Sequence, residues 1–151
     1  MRIFLAGIIQ GSQRAERIHA QDYRARLAKV LRTSIPEAEV YDPFAEHHES
    51  VTYSDELGRS VFFHHNALCR EMDAVVAFLP EASMGTAIEM WEAWQNGVAV
   101  FAVTPPTTNW VVRFLTHRVY ETLEEFETAV QSGEVAEIIQ KVRWQHERLH
   151  F

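Results

Sequence analysis

The sequence is short of cysteine, of cations and of long apolar runs, and each shortage removes a class of protein. One cysteine, Cys69, in 151 residues excludes an internal disulfide and any zinc site built on paired thiolates. It fits a reducing compartment. Lys and Arg number 14 against 21 Asp and Glu, a net charge of −7. A chain this acidic lacks the basic stripe that grips a nucleic-acid backbone, so no nucleic-acid partner is expected. No apolar run approaches the roughly 18 residues of a spanning helix. The opening run from Met1 to Ile9 is cut off by Gln10-Gly11-Ser12, too early for a signal peptide. No membrane partner is expected, and the chain reads as soluble and cytoplasmic. It also lacks an internal repeat, a low-complexity tract, a phosphate loop ending in Gly-Lys-Ser/Thr and a dinucleotide fingerprint. No cofactor is therefore expected.

What is present is ordinary globular material, 47% hydrophobic and 23% charged, enough for one domain over residues 1–151. Residues Arg2 to Ile9 form a continuous apolar run, the mark of a strand buried on both faces. A helical pattern runs from Gln13 to Leu31, with Ala15, Ile18, Tyr23, Leu27 and Val30 at three- and four-residue steps. Glu39 to Tyr41 reads as a second strand, Phe44 to Thr52 as a loop and Tyr53 to Met72 as a helix. Ala74 to Leu79 is a buried strand and Gly85 to Asn96 a helix stopped by Gly97. Val98 to Val103 is another buried strand. A short helix over Trp110–Leu115, a last strand over His117–Tyr120 and one or two helices over Thr122–Trp144 follow. Apolar strands alternating with helices predict an α/β fold: a five-stranded, doubly wound parallel sheet in the flavodoxin-like order 2-1-3-4-5. Its ligand crevice lies outside the carboxyl ends of the strands. That brings together Gly7–Ser12, Pro80–Glu89 and Thr104–Asn109.

The stretch Asp73-Ala-Val-Val-Ala-Phe-Leu-Pro-Glu-Ala-Ser-Met-Gly-Thr-Ala-Ile-Glu89 carries the most chemistry. Ser83 stands at a helix N-cap position, and Gly85-Thr86 let a ligand approach the backbone. The free N–H groups of that first turn form an anion site. Glu89 lies one turn in, where the helix dipole favours its carboxylate form. A positioned carboxylate can act as nucleophile on an electron-poor sugar carbon. Acidic residues near helix starts also simply complement the dipole, and position alone leaves both readings open.

The run from Asp73 to Glu89, followed by Ala93, Gly97 and Val98, resembles the signature of the nucleoside 2-deoxyribosyltransferase family: Asp opening a buried strand, a Gly-Thr-Ala-x-Glu helix start, then Gly leading into the next strand. Phe4-Leu5-Ala6-Gly7 resembles the family's first strand and glycine turn. The likeness runs from the first strand to Leu123, its specific part being Gly85 to Glu89. It implies that Glu89 forms a covalent glycosyl intermediate with a nucleoside or nucleotide. It further implies substrate contacts at Phe4, Gly7, Ile8, Asn66, Ser83, Gly85, Thr86 and Asn109. Three positions depart from the pattern. Ser83 replaces the Asp that meets the sugar 5′-hydroxyl in transferases, and so resembles the related 2′-deoxynucleoside 5′-monophosphate N-hydrolases, where a carboxylate would repel the phosphate. His65, with Asn66 beside it, replaces a catalytic Asp. Phe4 replaces a Tyr, whose hydroxyl Tyr53 or Tyr23 would have to supply.

The remaining conspicuous residues read more blandly. His47-His48 and His64-His65 are adjacent pairs, each giving at most one ligand to a site, so no metal is expected. Cys69 reads as a packed thiol. Trp91 and Trp94 share a helical stripe with Ala87 and Met90, in the core or at a subunit interface. The resemblance implies a homo-oligomer, at least a dimer, in which Asn109, in Thr107-Thr108-Asn109-Trp110, completes a neighbour's site. Three functions stay open: deoxyribosyl transfer to a second nucleobase, hydrolysis of a 5′-monophosphate, and nucleotide sensing without catalysis.

Overall fold

A computed structural model of the chain describes residues 1–10 and 18–149. Its strands are β1 (Arg2–Gly7), β2 (Glu39–Tyr41), β3 (Ala74–Phe78), β4 (Ala99–Val103) and β5 (Arg118–Tyr120). They form one sheet in the order β2-β1-β3-β4-β5, every neighbouring pair parallel. The expected order is the observed one. Strand alternation divides the core between the two faces. Ile3, Leu5, Val76 and Phe101 pack against α1 (Tyr23–Ser34), α6 (Leu123–Ser132) and α7 (Glu134–Leu149). Phe4, Ala6, Val75 and Val100 pack against α3 (Asp55–Cys69), α4 (Met84–Gln95) and α5 (Trp110–Leu115). Gly97 ends α4 with φ of 69°, a left-handed conformation that favours glycine. Among the described residues no helix is long and apolar enough to cross a membrane.

Three local expectations are corrected. The helix foreseen from Gln13 begins only at Tyr23; residues 13–17 lie outside the described residues. Residues 18–22 are non-helical because they are tied to the end of β1. The His19 N–H donates to the Ile9 carbonyl at 2.8 Å, and the Gln21 amide donates to the carbonyls of Ile8 and His19, each at 2.9 Å. The stretch after β2 contains a short helix, α2 (Pro43–Glu46), and a 3₁₀ turn, Ser50–Thr52. Asp42 caps α2 by accepting from the Phe44 N–H, and Pro43 opens it. Finally, of the two places expected for Trp91 and Trp94, core or subunit interface, the core is excluded. They stack on each other at 5.6 Å and are 46% and 44% exposed, because Met90 and Ala93 are the α4 residues that turn fully inward.

Candidate active site

The strand order reverses between β1 and β3, and the loops that leave their carboxyl ends diverge there. A cavity of ≈ 410 Å³ opens at that point. Gly7, Ile9 and Gln10 line it from the end of β1, and Pro43, His47, Ser50 and Tyr53 from the loop after β2. The opposing walls are Gly58, Val61, Phe62 and His65 of α3, and Ala82 to Thr86 with Glu89 at the start of α4. The volume suits a small organic ligand.

The start of α4 is organised by Ser83. Its Oγ accepts from the Thr86 N–H at 3.4 Å and from the Thr86 Oγ1 hydroxyl at 3.0 Å. Thr86 is buried, so both bonds pin the capping hydroxyl at the cavity edge. With its acceptor side occupied, the Ser83 hydroxyl keeps its own proton to donate. Gly85 leaves open space where a side chain would stand, so a ligand can reach the first-turn N–H groups.

Glu89 is half-buried in the wall one turn further on. Among the described residues nothing hydrogen-bonds its carboxyl group. Burial pushes its pKa up to about 8, against the pull of the Arg24 guanidinium. The expectation that the helix dipole keeps Glu89 ionised is therefore corrected. The dipole contributes roughly 0.3–1 kcal/mol at an exposed site, and desolvation of a carboxylate in a cavity wall is larger.

His65, which lines the same cavity as Glu89, stands in an aromatic cluster. Its Nε2 shares a hydrogen bond of 3.2 Å with the Tyr41 hydroxyl. Its ring meets Phe4 at 6.1 Å, Tyr41 at 5.8 Å and His47 at 5.2 Å. Burial, reinforced by His47 and His64, lowers its pKa to about 4. At neutral pH His65 is an uncharged hydrogen-bonding ring. His47 is held by Tyr53, whose hydroxyl lies 3.0 Å from its Nδ1. Among the described residues no group of His, Cys, Asp and Glu is placed to hold a metal ion.

The glycine turn rests on Tyr23 and Arg24. A Cβ on Gly7 would collide with the Tyr23 hydroxyl, so only glycine lets the strand end pass over this ring. The Tyr23 hydroxyl is buried with no hydrogen-bond partner among the described residues. Burial pushes its pKa up to about 12, with Asp42 and Glu89 adding to the rise. Arg24, 3% exposed, donates to the Leu5 carbonyl at 3.0 Å, the Gly7 carbonyl at 3.3 Å and Asp42 at 2.9 Å. One guanidinium thus ties the end of β1 to the end of β2, and its charge draws the Glu89 pKa down.

Gly7, His65, Ser83, Gly85, Thr86 and Glu89 therefore meet around one cavity, whereas other residues expected there do not. Phe4 is wholly buried and stacks on Tyr41 at 5.5 Å, behind His65. Ile8 points into the core beneath the sheet end. Asn66 is buried on α3, donating to the Phe62 carbonyl at 2.8 Å; it falls one position past the cavity-facing side of its helix. Asn109 caps α5 through the Val111 N–H at 2.9 Å. It lines a neighbouring groove of ≈ 710 Å³, which meets the first cavity at Ala82, Ser83 and Met84. The loop after β4 is thus one pocket away, because Pro80 to Met84 stand between. Gly11 and Ser12 lie outside the described residues. Sequence reasoning missed His47, Tyr41, Gly58, Val61, Phe62 and Arg24 as parts of this region. Gly58, Val61, Phe62 and His65 at i, i+3, i+4 and i+7 were the available signal for one helix face.

The sequence matches no family model and no curated protein. Several solved structures share the fold. A 2-deoxyribosyltransferase from Bacillus psychrosaccharolyticus superposes with a TM-score of 0.63 at 18% identity, over 84% of this chain and 90% of its own. The CMP N-glycosidase BcmB of Clostridium botulinum superposes at 0.52 and 18% identity, over 86% of this chain and 97% of its own. FerB, a flavoenzyme NAD(P)H:(acceptor) oxidoreductase of Paracoccus denitrificans, gives 0.50 at 15% identity, over 94% and 97%. At these identities the likeness establishes the doubly wound fold.

Proposed function

We propose that the chain, acting as one unit over residues 1–151, is a nucleoside 2-deoxyribosyltransferase working through a covalent glycosyl-Glu89 intermediate. One observation carries this reading: a half-buried carboxyl group, with no hydrogen-bond partner among the described residues, in the wall of a cavity at the sheet's switch point that aromatic side chains also line. Glu89, held protonated in the free protein, loses that proton to water when a deoxynucleoside binds, and its carboxylate attacks C1′. The C1′–N bond breaks, its electron pair leaves with the base, and the base takes up a proton from water. A nitrogen of a second nucleobase then attacks C1′, loses its proton to solvent and frees the carboxylate. His65, uncharged and hydrogen-bonded to Tyr41, and His47, hydrogen-bonded to Tyr53, line the base side. Ser83 and the first-turn N–H groups of α4 hold the 5′ end. Two of the fold neighbours carry N-glycosyl activities in their names, which supports this chemistry over the redox chemistry of the third.

A second reading is favoured by Ser83 itself. A donating hydroxyl beside an open helix N-terminus suits a 5′-phosphate, and water in place of the second base would make the protein a 2′-deoxynucleoside 5′-monophosphate N-glycosidase. One assay separates the two. A deoxynucleoside and its monophosphate are each incubated with and without a second base, and the products are resolved. Base exchange identifies the transferase, and free deoxyribose phosphate identifies the hydrolase. Near-wild-type turnover by a folded Glu89→Ala protein would reject both.

The partner proposed besides the small molecule is a second copy of the chain. Trp91, Trp94 and Trp110, the last 71% exposed, lie with Met84, Ile88 and Phe114 on exposed faces of α4 and α5. Met84 lines both the cavity and the groove that holds Asn109, so a copy seated on this side would reach the site. In a homo-oligomer with shared sites, mixing inactive Glu89→Ala and Asn109→Ala chains restores part of the activity. A strictly monomeric, fully active protein rejects the arrangement.

A further inference from the structure

Gly58 sits inside α3, and none of the usual structural reasons for a glycine applies to it. Its φ is not positive, the positive-φ glycines among the described residues being Gly97 and Gly133. Its N–H donates to the Ser54 carbonyl at 2.8 Å as in any helix. A Cβ added there meets nothing within 4 Å among the described residues, so no backbone or side chain among them demands the space. Glycine is a poor helix former compared with alanine, and this position accepts that penalty with no local return. What the position does have is the cavity. Gly58, Val61, Phe62 and His65 form the stripe that α3 turns toward it, and Gly58 is the one member of the four without a side chain.

Resting on the nucleoside reading above, we infer that Gly58 is a specificity-determining residue: its missing side chain holds the base side of the cavity open for a bulky, two-ring nucleobase. The wall it belongs to is aromatic and apolar, with Phe62 and Val61 on the same stripe and His47 and Tyr53 lining the cavity from the loop after β2. That is the chemistry a flat nucleobase recognises through its faces. Glu89 and Ser83 belong to the other helix, and on this reading the volume left by Gly58 is assigned to the base side. Selection is steric. A methyl or isobutyl group at this point takes room from a purine while leaving room for a pyrimidine.

The test uses the full chain as wild type, Gly58→Ala and Gly58→Leu. Three quantities are read: thermal midpoint, kcat/KM for a purine and a pyrimidine deoxynucleoside, and dissociation constants for the same two ligands by calorimetry. Gly58→Ala is expected to raise the midpoint by about 2–4 °C, because it improves the helix and meets no neighbour. Gly58→Leu is expected to lower the purine-to-pyrimidine ratio by about tenfold, the scale of a misplaced aliphatic group in a tight pocket, with Gly58→Ala in between. A purine-to-pyrimidine ratio that stays constant in folded variants overturns the inference and leaves the proposed function standing. So does a midpoint that falls in Gly58→Ala, since glycine would then be required by the fold. A wild-type protein that binds neither ligand overturns the proposed function, and this inference with it. Where ligands bind without turnover, the ratio of dissociation constants decides in place of kcat/KM.

Discussion

Replacing Glu89 with glutamine should remove activity and, at alkaline pH, make the protein more stable. The carboxyl group titrates near 8 in the folded chain against an ordinary 4.5. Between those values the native state keeps a proton that the unfolded chain has released, so wild-type stability falls as pH rises through this window and is level above it. At about 1.4 kcal/mol per pH unit, the ceiling of the effect is about 5 kcal/mol. The cavity opens to solvent and the charged form regains part of its hydration, which reduces this to about 2 kcal/mol. Glutamine has the same shape and no charge to desolvate, so the variant escapes the loss. For a chain of this size, that corresponds to a gain in Tm of about 4–8 °C. Calorimetric scans of both proteins from pH 4.5 to 9.5 provide the measurement. The two Tm curves should lie close together at pH 4.5, separate as pH rises and run parallel above about pH 9. A difference in Tm that does not change with pH would refute the reasoning, because it would mean that Glu89 is not held protonated by its surroundings.

The other predictions address the 5′ end, the glycine turn and the histidine wall. Ser83→Asp should weaken a 5′-monophosphate substrate more than the matching nucleoside, through like-charge repulsion beside the helix start; equal changes in kcat/KM for both would remove Ser83 from the 5′ end. Gly7→Ala should cost about 1–3 kcal/mol by driving a methyl group into the Tyr23 hydroxyl. Urea titration measures that loss, and the double variant with Tyr23→Phe should recover part of it. His65→Phe keeps the packing on Phe4 and Tyr41 but has no proton to gain. Because the His65 pKa is lowered to about 4 from 6.5, wild-type stability falls as pH drops from about 6.5 toward 4. The variant should therefore gain on the wild type at pH 5 relative to pH 7.5, and an unchanged gap between the two pH values contradicts a buried, uncharged His65.

The sheet was legible because each strand is a short apolar run closed by a turn residue: Ala74 to Phe78 before Pro80, Ala99 to Val103 before Pro105. Parallel strands buried on both faces can be read one at a time, without knowledge of their partners. The helix start at Ser83 was legible for the same reason, since capping is a local event. The first helix was misread because Ile18 keeps the helical spacing while its neighbours His19 and Gln21 are bound to Ile8 and Ile9. No periodicity reports a bond of that kind. The protonation of Glu89 was misread because helix position is visible in sequence and desolvation is not. Asn66 and His65 are adjacent in sequence yet face different surroundings, and only the rotation of α3 decides which one meets the cavity.

The fold and the site answer different questions. A doubly wound sheet with this strand order serves a glycosyl-transferring enzyme and a flavoenzyme alike, because the switch point supplies a crevice and leaves its lining free. In this chain the lining separates two kinds of surface. The α4 side presents hydrogen-bond donors and one carboxyl group, and the α3 side with the loop after β2 presents aromatic rings, imidazoles and the gap at Gly58. A ligand that satisfies both sides needs a flat, heteroatom-rich ring at one end and a hydroxylated or anionic group at the other. In the proposed mechanism the bond to be broken lies between them, beside Glu89. The glycosidic bond of a nucleoside meets that description, since it joins a flat base to a sugar whose 5′ end carries the hydroxyl or phosphate. Arg24 completes the design from below. Its guanidinium is spent on the carbonyls of Leu5 and Gly7 and on Asp42, so it fixes the turn and biases the charge on Glu89 without an ion pair to it.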